Sequence, residues 1–133
     1  MKLSTLFAAI LLAIFCFATP ARAANPDHIA QLLNQRICVN CDLQNADLRG
    51  ADLRGVSLAG ANLRNANLEG AILMATNLKD ADLQGANLKG ASLLVVDLRG
   101  ANLKGAELIH SSIREAKFCH TIDTAGAIVN RDC

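Results

Sequence analysis

The residues of this 133-residue chain best suited to chemistry are its five cysteines, and two of them stand in Cys38-Val39-Asn40-Cys41. That CxxC spacing serves three ends: a thiol–disulfide exchange centre, half of a zinc site, or a short structural disulfide. Exchange centres of this kind usually precede a helix whose N-terminus lowers the thiol pKa, whereas this pair follows a helical stretch. A zinc site would need a second pair of ligands nearby, and His28 is the one candidate in reach along the chain. The structural disulfide is therefore the favoured reading, with redox and metal chemistry as alternatives. Cys119 and Cys133 lie near the other end, and Cys16 near the start.

No other grouping points to catalysis. Asp47, Asp52, Asp82 and Asp97 recur in one slot of a repeat, which is not a paired acid–base geometry. His28, His110 and His120 are scattered and are expected to be solvated, and no nucleophile–base pair, phosphate loop or cofactor motif can be read. No cofactor and no metal are expected, and the chain is read as a non-enzyme.

Met1 to Ala23 has the form of an export leader: basic Lys2, an apolar run from Leu6 to Phe17, and a small-x-small cleavage site at Ala21-Arg22-Ala23. The run is too short for a spanning helix, so no membrane segment is expected after cleavage. Lys2 and Arg22 leave with the leader, so eleven basic residues then face twelve acidic ones, near −1 overall. That balance offers no electrostatic case for nucleic acid or an anionic membrane. An even number of cysteines remaining in an exported chain points to disulfides.

The positions of these residues are set by a strict period. From Leu43 a large apolar residue returns every fifth position through Leu108, Ile113 and Phe118. On a helix a step of five rotates by about 140°, and on a strand it alternates faces, so neither element buries the series. A chain that turns a corner every five residues does. Ala two before each centre then also points inward. Gly or Asn two after it, as at Gly50, Gly55 and Asn65, sits at the bend, where positive φ is tolerated. Asp, Asn or Ser just before the centre can bond the local backbone. Ahead of the repeats, Asn25-Pro26-Asp27 is a helix start, and Ile29, Leu32, Leu33 and Ile37 fall on one face. A short helix over Pro26–Arg36 is predicted to lie across the first coil. After Phe118, a bulky plug for the last coil, a turn at Asp123-Thr124-Ala125-Gly126 is predicted to fold the tail back.

The string ADLRGADLRGVSLAGANLRNANLEGA resembles the tandem units of the pentapeptide-repeat family over roughly residues 38 to 120. The resemblance implies an all-β fold, a right-handed quadrilateral β-helix of about four coils, here preceded by a capping helix over 24–37 and followed by a tail over 121–133. The flanks CVNCDL and FCHTI resemble exported members of cyanobacteria and chloroplast lumens, which implies a periplasmic or thylakoid-lumen address. Stacked at β-ladder spacing, four coils give a rod about 20 Å long. Cys38 and Cys41 then lie at the end opposite Cys119, beyond the roughly 7 Å that a disulfide permits between Cα atoms. If all four pair within one chain, the pairs are Cys38–Cys41 and Cys119–Cys133. Positions twenty apart share a wall, which gathers Ile72, Met74, Leu94 and Val95 into one outward apolar patch between Arg54 and Arg114. Exposed apolar patches rimmed by charge mark partner surfaces. The favoured function is a structural or protein-interaction module that docks another protein or a second copy there. The alternatives are a redox protein acting through Cys38 and Cys41 and, disfavoured by charge and address, a duplex-DNA mimic like the gyrase-protecting members.

Overall fold

A computed structural model of the protein describes residues 23–133. Apart from Ala23, the leader falls outside these residues. The first element, α1 (Pro26–Gln35), begins where the local chemistry predicts. Asn25 accepts the N–H of Asp27 at 2.9 Å, Pro26 fills the first helical position, and Asp27 faces the positive end of the helix dipole. The helix ends one residue earlier than expected, at Arg36, which turns to φ 57° and returns its N–H to the Leu32 carbonyl.

The apolar face of α1 is narrower than its spacing predicts. Leu32 is buried and Ile29 is half-buried, but Leu33 and Ile37 are 57 % and 54 % exposed. Both departures have a simple cause. A ten-residue helix laid across the end of a slender rod touches it along one line, and Leu33 lies about 100° round from Leu32. Ile37 has already left the helix and forms the first β-bridge, with Ser57, in the outward slot before Cys38. Polar contacts fix the crossing: the Asn25 N–H reaches the Asp42 carbonyl, and Gln31 Nε2 donates to the Ile37 carbonyl.

From Ile37 to Ile122 the backbone is joined by parallel bridges between residues twenty apart. They fall into four ladders, one of which runs Asp52–Ile72–Ser92–Ser112. Each turn of twenty residues is sewn to the next by alternating bonds, as where the Leu43 N–H meets the Asn62 carbonyl and the Asn62 N–H meets that of Cys41, both at 2.8 Å. Corners are closed by short turns such as Ala46 N–H to Leu43 O at 3.0 Å. The slot two after each centre holds positive φ along the whole repeat, from Asn40 through Gly60 and Asp80 to His120. Where Asp or Asn precedes a centre, its side chain accepts the N–H two residues on, as Asp52 does from Arg54 at 3.2 Å.

Every centre from Leu43 to Leu103 is buried, with the inward Ala residues beside them. Each such Leu contributes about 1.5–3 kcal/mol of burial. Two threonines occupy Ala slots, and neither hydroxyl is stranded: Thr76 Oγ1 donates to the Leu53 carbonyl and Thr121 Oγ1 to that of Leu98, each at 2.7 Å. Near the far end Leu108, Ile113 and Phe118 are only half-buried. There β1 (Thr121–Ile122) pairs antiparallel with β2 (Ile128–Val129), around a turn in which Asp123 accepts the N–H groups of Ala125 and Ala127. Phe118 is held at this end through its ring and its backbone. The Arg131 guanidinium lies 4.7 Å over its ring, and Asp132 bonds both its N–H and its carbonyl.

Candidate functional site

The outward apolar residues come together as the twenty-residue register requires. Gly55 N–H bonds the Met74 carbonyl, Ala75 N–H that of Leu94, and Val95 N–H that of Arg114, each at 2.9 Å. Arg54, Met74, Leu94 and Arg114 therefore stack in one column, with Ala75 and Val95 in the next. Ile72 adjoins them on the ladder between Asp52 and Ser92. Met74 is 38 % and Val95 50 % exposed, while Ile72 and Leu94 are half-buried.

Val95 adds a feature that the sequence reading missed. It holds φ 57° in the slot that Gly, Asn or Asp fills at most other corners. A β-branched residue there is a conformational outlier that costs on the order of 1–3 kcal/mol. The signal was present in the sequence, as a Val in register with Gly55 and Gly60, but its meaning depends on the backbone angle.

Charge frames the patch unevenly. Arg54 is committed to Asp52, 2.5 Å from its carboxylate, and the guanidinium holds the Asp52 carboxyl down at about 2. Arg114 makes no ion pair among the described residues. Asp47 with Arg49 and Asp97 with Arg99 repeat the Asp52–Arg54 arrangement elsewhere on the surface, and each arginine lowers the pKa of its aspartate. A shallow depression of about 360 Å³ lies on another ladder, lined by Glu69, Gly70, Lys89, Gly90, Ile109 and His110. It has no nucleophile paired with a base.

The four cysteines among the described residues form two disulfides, Cys38–Cys41 with Cα atoms 5.3 Å apart and Cys119–Cys133 with 5.0 Å. Their surroundings differ. Cys38 and Cys41 are 0 % and 2 % exposed under α1, so an attacking thiolate cannot reach either sulfur without lifting the helix. Their neighbour His28, expected to be solvated, is half-buried, and its Nδ1 accepts the Asp42 N–H at 2.9 Å, which fits it as a cap rather than as a ligand. Cys119 is half-buried and Cys133 exposed, and His120 Nδ1 lies 3.2 Å from Cys119 Sγ.

Residues 37–73 and 76–118 match the pentapeptide repeats in eight copies. The chain belongs to the pentapeptide-repeat family. Members of that family form right-handed β-helices. A pentapeptide-repeat protein of the cyanobacterium Nostoc Pcc 7120 is 34 % identical over 71 % of this chain and 78 % of its own, with a TM-score of 0.64. One from the Arabidopsis thaliana thylakoid lumen is 31 % identical over 64 % of this chain, with a TM-score of 0.62, and the match spans 59 % of that protein's own length. No curated protein matches the chain.

Proposed function

We propose that this pentapeptide-repeat protein is a non-enzymatic interaction module, and that its docking surface is the wall formed by Ile72, Met74, Leu94 and Val95. Val95 carries the reading. Glycine in its place would relieve the left-handed strain, yet the chain keeps a branched apolar side chain there, half exposed, beside three more apolar residues. Strain retained where it does nothing for the fold supports a role outside it. The partner that fits is another protein presenting apolar side chains with a carboxylate at one edge, since Arg114 makes no ion pair among the described residues whereas Arg54 is already paired with Asp52. A second copy of this chain is the other occupant to test.

The wider organisation follows the same reading. Residues 1–23 serve as an export leader, 24–37 cap the first coil, 38–120 form a quadrilateral rod of about four coils, and 121–133 close it. The four ladders support the square section, and the two disulfides with the thylakoid-lumen and cyanobacterial relatives support an exported address in a periplasm or thylakoid lumen. The alternative redox role for Cys38 and Cys41 is disfavoured by their burial.

Capture from an extract of the native compartment, compared across variants, tests the docking surface. Met74→Asp with Leu94→Asp should abolish binding of whatever the wild type retains, without lowering the melting temperature, because neither side chain belongs to the core. Val95→Gly should weaken capture while raising the melting temperature. Capture that survives both changes would remove this wall as the interface, and a self-association lost in the same variants, seen by sedimentation, would make the partner a second copy.

A further inference from the structure

We propose that the far end of the rod is a redox-gated site for a divalent zinc-type cation, formed by Cys119, His120 and Cys133 when their disulfide is reduced. The ligand atoms of these three residues all lie within 4.8 Å of one another. Two thiolates and an imidazole are the donor set that suits a closed-shell, tetrahedral cation such as Zn²⁺, with a water completing the shell. While the sulfurs are bonded to each other their thiolate character is absent, so the disulfide and the metal exclude one another.

Such a site requires that the two sulfurs stay together once the covalent bond is cut. The tail is held by contacts that do not involve it. Asp132 N–H donates to the Phe118 carbonyl at 2.7 Å, and the Asp132 carboxylate accepts the Phe118 N–H at 2.9 Å. His120 N–H donates to Asn130 Oδ1 at 2.9 Å, and Arg131 Nη2 to the Ala116 carbonyl at 3.0 Å. The β1–β2 pairing holds the base of the tail. These bonds lie on both sides of Cys119 and hold residues 130–132 next to Cys133, so reduction leaves a preorganised pair rather than a free end. The positive φ of His120, 52°, accompanies a ring placed against Cys119 Sγ. With Zn–S bonds of about 2.3 Å, the sulfurs need separate only to about 3.8 Å, a side-chain movement.

The gating step is a thiol–disulfide exchange with a dithiol reductant. One thiolate of the dithiol attacks a sulfur of the Cys119–Cys133 bond, giving a mixed disulfide, and its second thiol resolves it. Cys119 and Cys133 gain two electrons and two protons, and the dithiol leaves as its own disulfide. Binding Zn²⁺ then releases the two thiol protons. The exposed position of Cys133 makes this bond reachable, in contrast to buried Cys38–Cys41.

The folded protein, treated with a dithiol in the absence of denaturant and freed of it without air, tests the proposal when titrated with Zn²⁺ alone and, for its spectrum, with Co²⁺. Alkylation and peptide mapping should label Cys119 and Cys133 and leave Cys38 and Cys41 unlabelled. The reduced protein should bind one ion per chain and show sulfur-to-cobalt charge transfer, while the oxidised protein shows neither. Cys119→Ser or Cys133→Ser should abolish the charge transfer expected of the pair. His120→Ala should weaken binding by roughly tenfold or more, since even outer-shell losses cost 10–100-fold. Absence of binding after reduction, binding that persists in both serine variants, or loss of β1–β2 amide protection on reduction would each overturn it.

Discussion

Oδ1 of Asn40 occupies the space above Gly60, twenty residues on, that a Cβ at residue 60 would need. The same relation joins Asn65 to Gly85 and Asp80 to Gly100, whereas a Cβ at Gly50 would meet nothing within 4 Å. Both Gly50 and Gly60 hold positive φ, 62° and 66°. Gly50→Ala should therefore destabilise by the left-handed penalty alone, about 1–2 kcal/mol, and Gly60→Ala by more. Asn40→Gly added to Gly60→Ala should recover the difference, a non-additivity expected of residues in contact. Urea unfolding of the wild type, Gly50→Ala, Gly60→Ala, Asn40→Gly and the double variant checks this, and equal losses for Gly50→Ala and Gly60→Ala would contradict it.

Leu83 and Ile113 occupy the same repeat slot but differ in surroundings. Leu83 is sealed between coils on both sides, while Ile113 is half-buried near the end of the rod. Leu83→Ala should cost about 2–5 kcal/mol, the range for a large-to-small change in a closed core. Ile113→Ala should cost clearly less, because water already reaches the site. Denaturant midpoints for the pair give the comparison.

Thr76 stacks between Val56 and Val96 in the inward small-residue column, so valine fits its place. Its Oγ1 bonds the Leu53 carbonyl at 2.7 Å, and that carbonyl also accepts the Val56 N–H at 3.2 Å. Thr76→Val leaves the acceptor satisfied and should cost about 1 kcal/mol or less. Thr76→Ala loses the same bond and opens a void besides, so its melting temperature should fall further than that of the valine variant.

Acid sensitivity should trace to the paired aspartates. Arg54 beside Asp52 lowers its pKa from 3.8 to about 2, and Arg49 and Arg99 lower those of Asp47 and Asp97. A carboxyl with a depressed folded pKa releases its proton more readily in the native state. Its contribution is present above pH 3.8 and is lost as pH falls towards about 2. The pairs are exposed, so each contribution is small. Melting temperature should decline through this window, and Asp52→Asn should flatten the decline while leaving the plateau near neutral pH close to wild type.

The period of five, the small inward residues and the Gly and Asn corners made a bend every five residues legible in the sequence, while four sides to a turn, and so the stacking of residues twenty apart, came from the resemblance to the pentapeptide-repeat family. Each repeat is a local unit whose residue types answer to its own bend. The apolar wall followed from that implied turn of twenty residues, which puts Met74 and Leu94 on one column. The capping helix was only partly so: Leu33 and Ile37 carry a helical spacing, but the width of the surface that receives α1 decides which of them is covered. The redox alternative came from the CxxC spacing, while the repeat register, with Cys38 a centre and Cys41 an inward position, already pointed both side chains to the interior, where they are buried.

The sequence alone determined the path of the chain, because one repeated unit with one backbone requirement leaves few ways to hide a leucine every fifth residue. Tertiary structure decided what depends on distance across coils or between ends. It put His120 against Cys119, laid Arg131 over Phe118, strained Val95 beside Met74, and placed one disulfide under a helix and the other at the surface. Those outcomes rest on contacts between residues far apart in the chain or on a backbone angle at a single corner, and no local pattern records either.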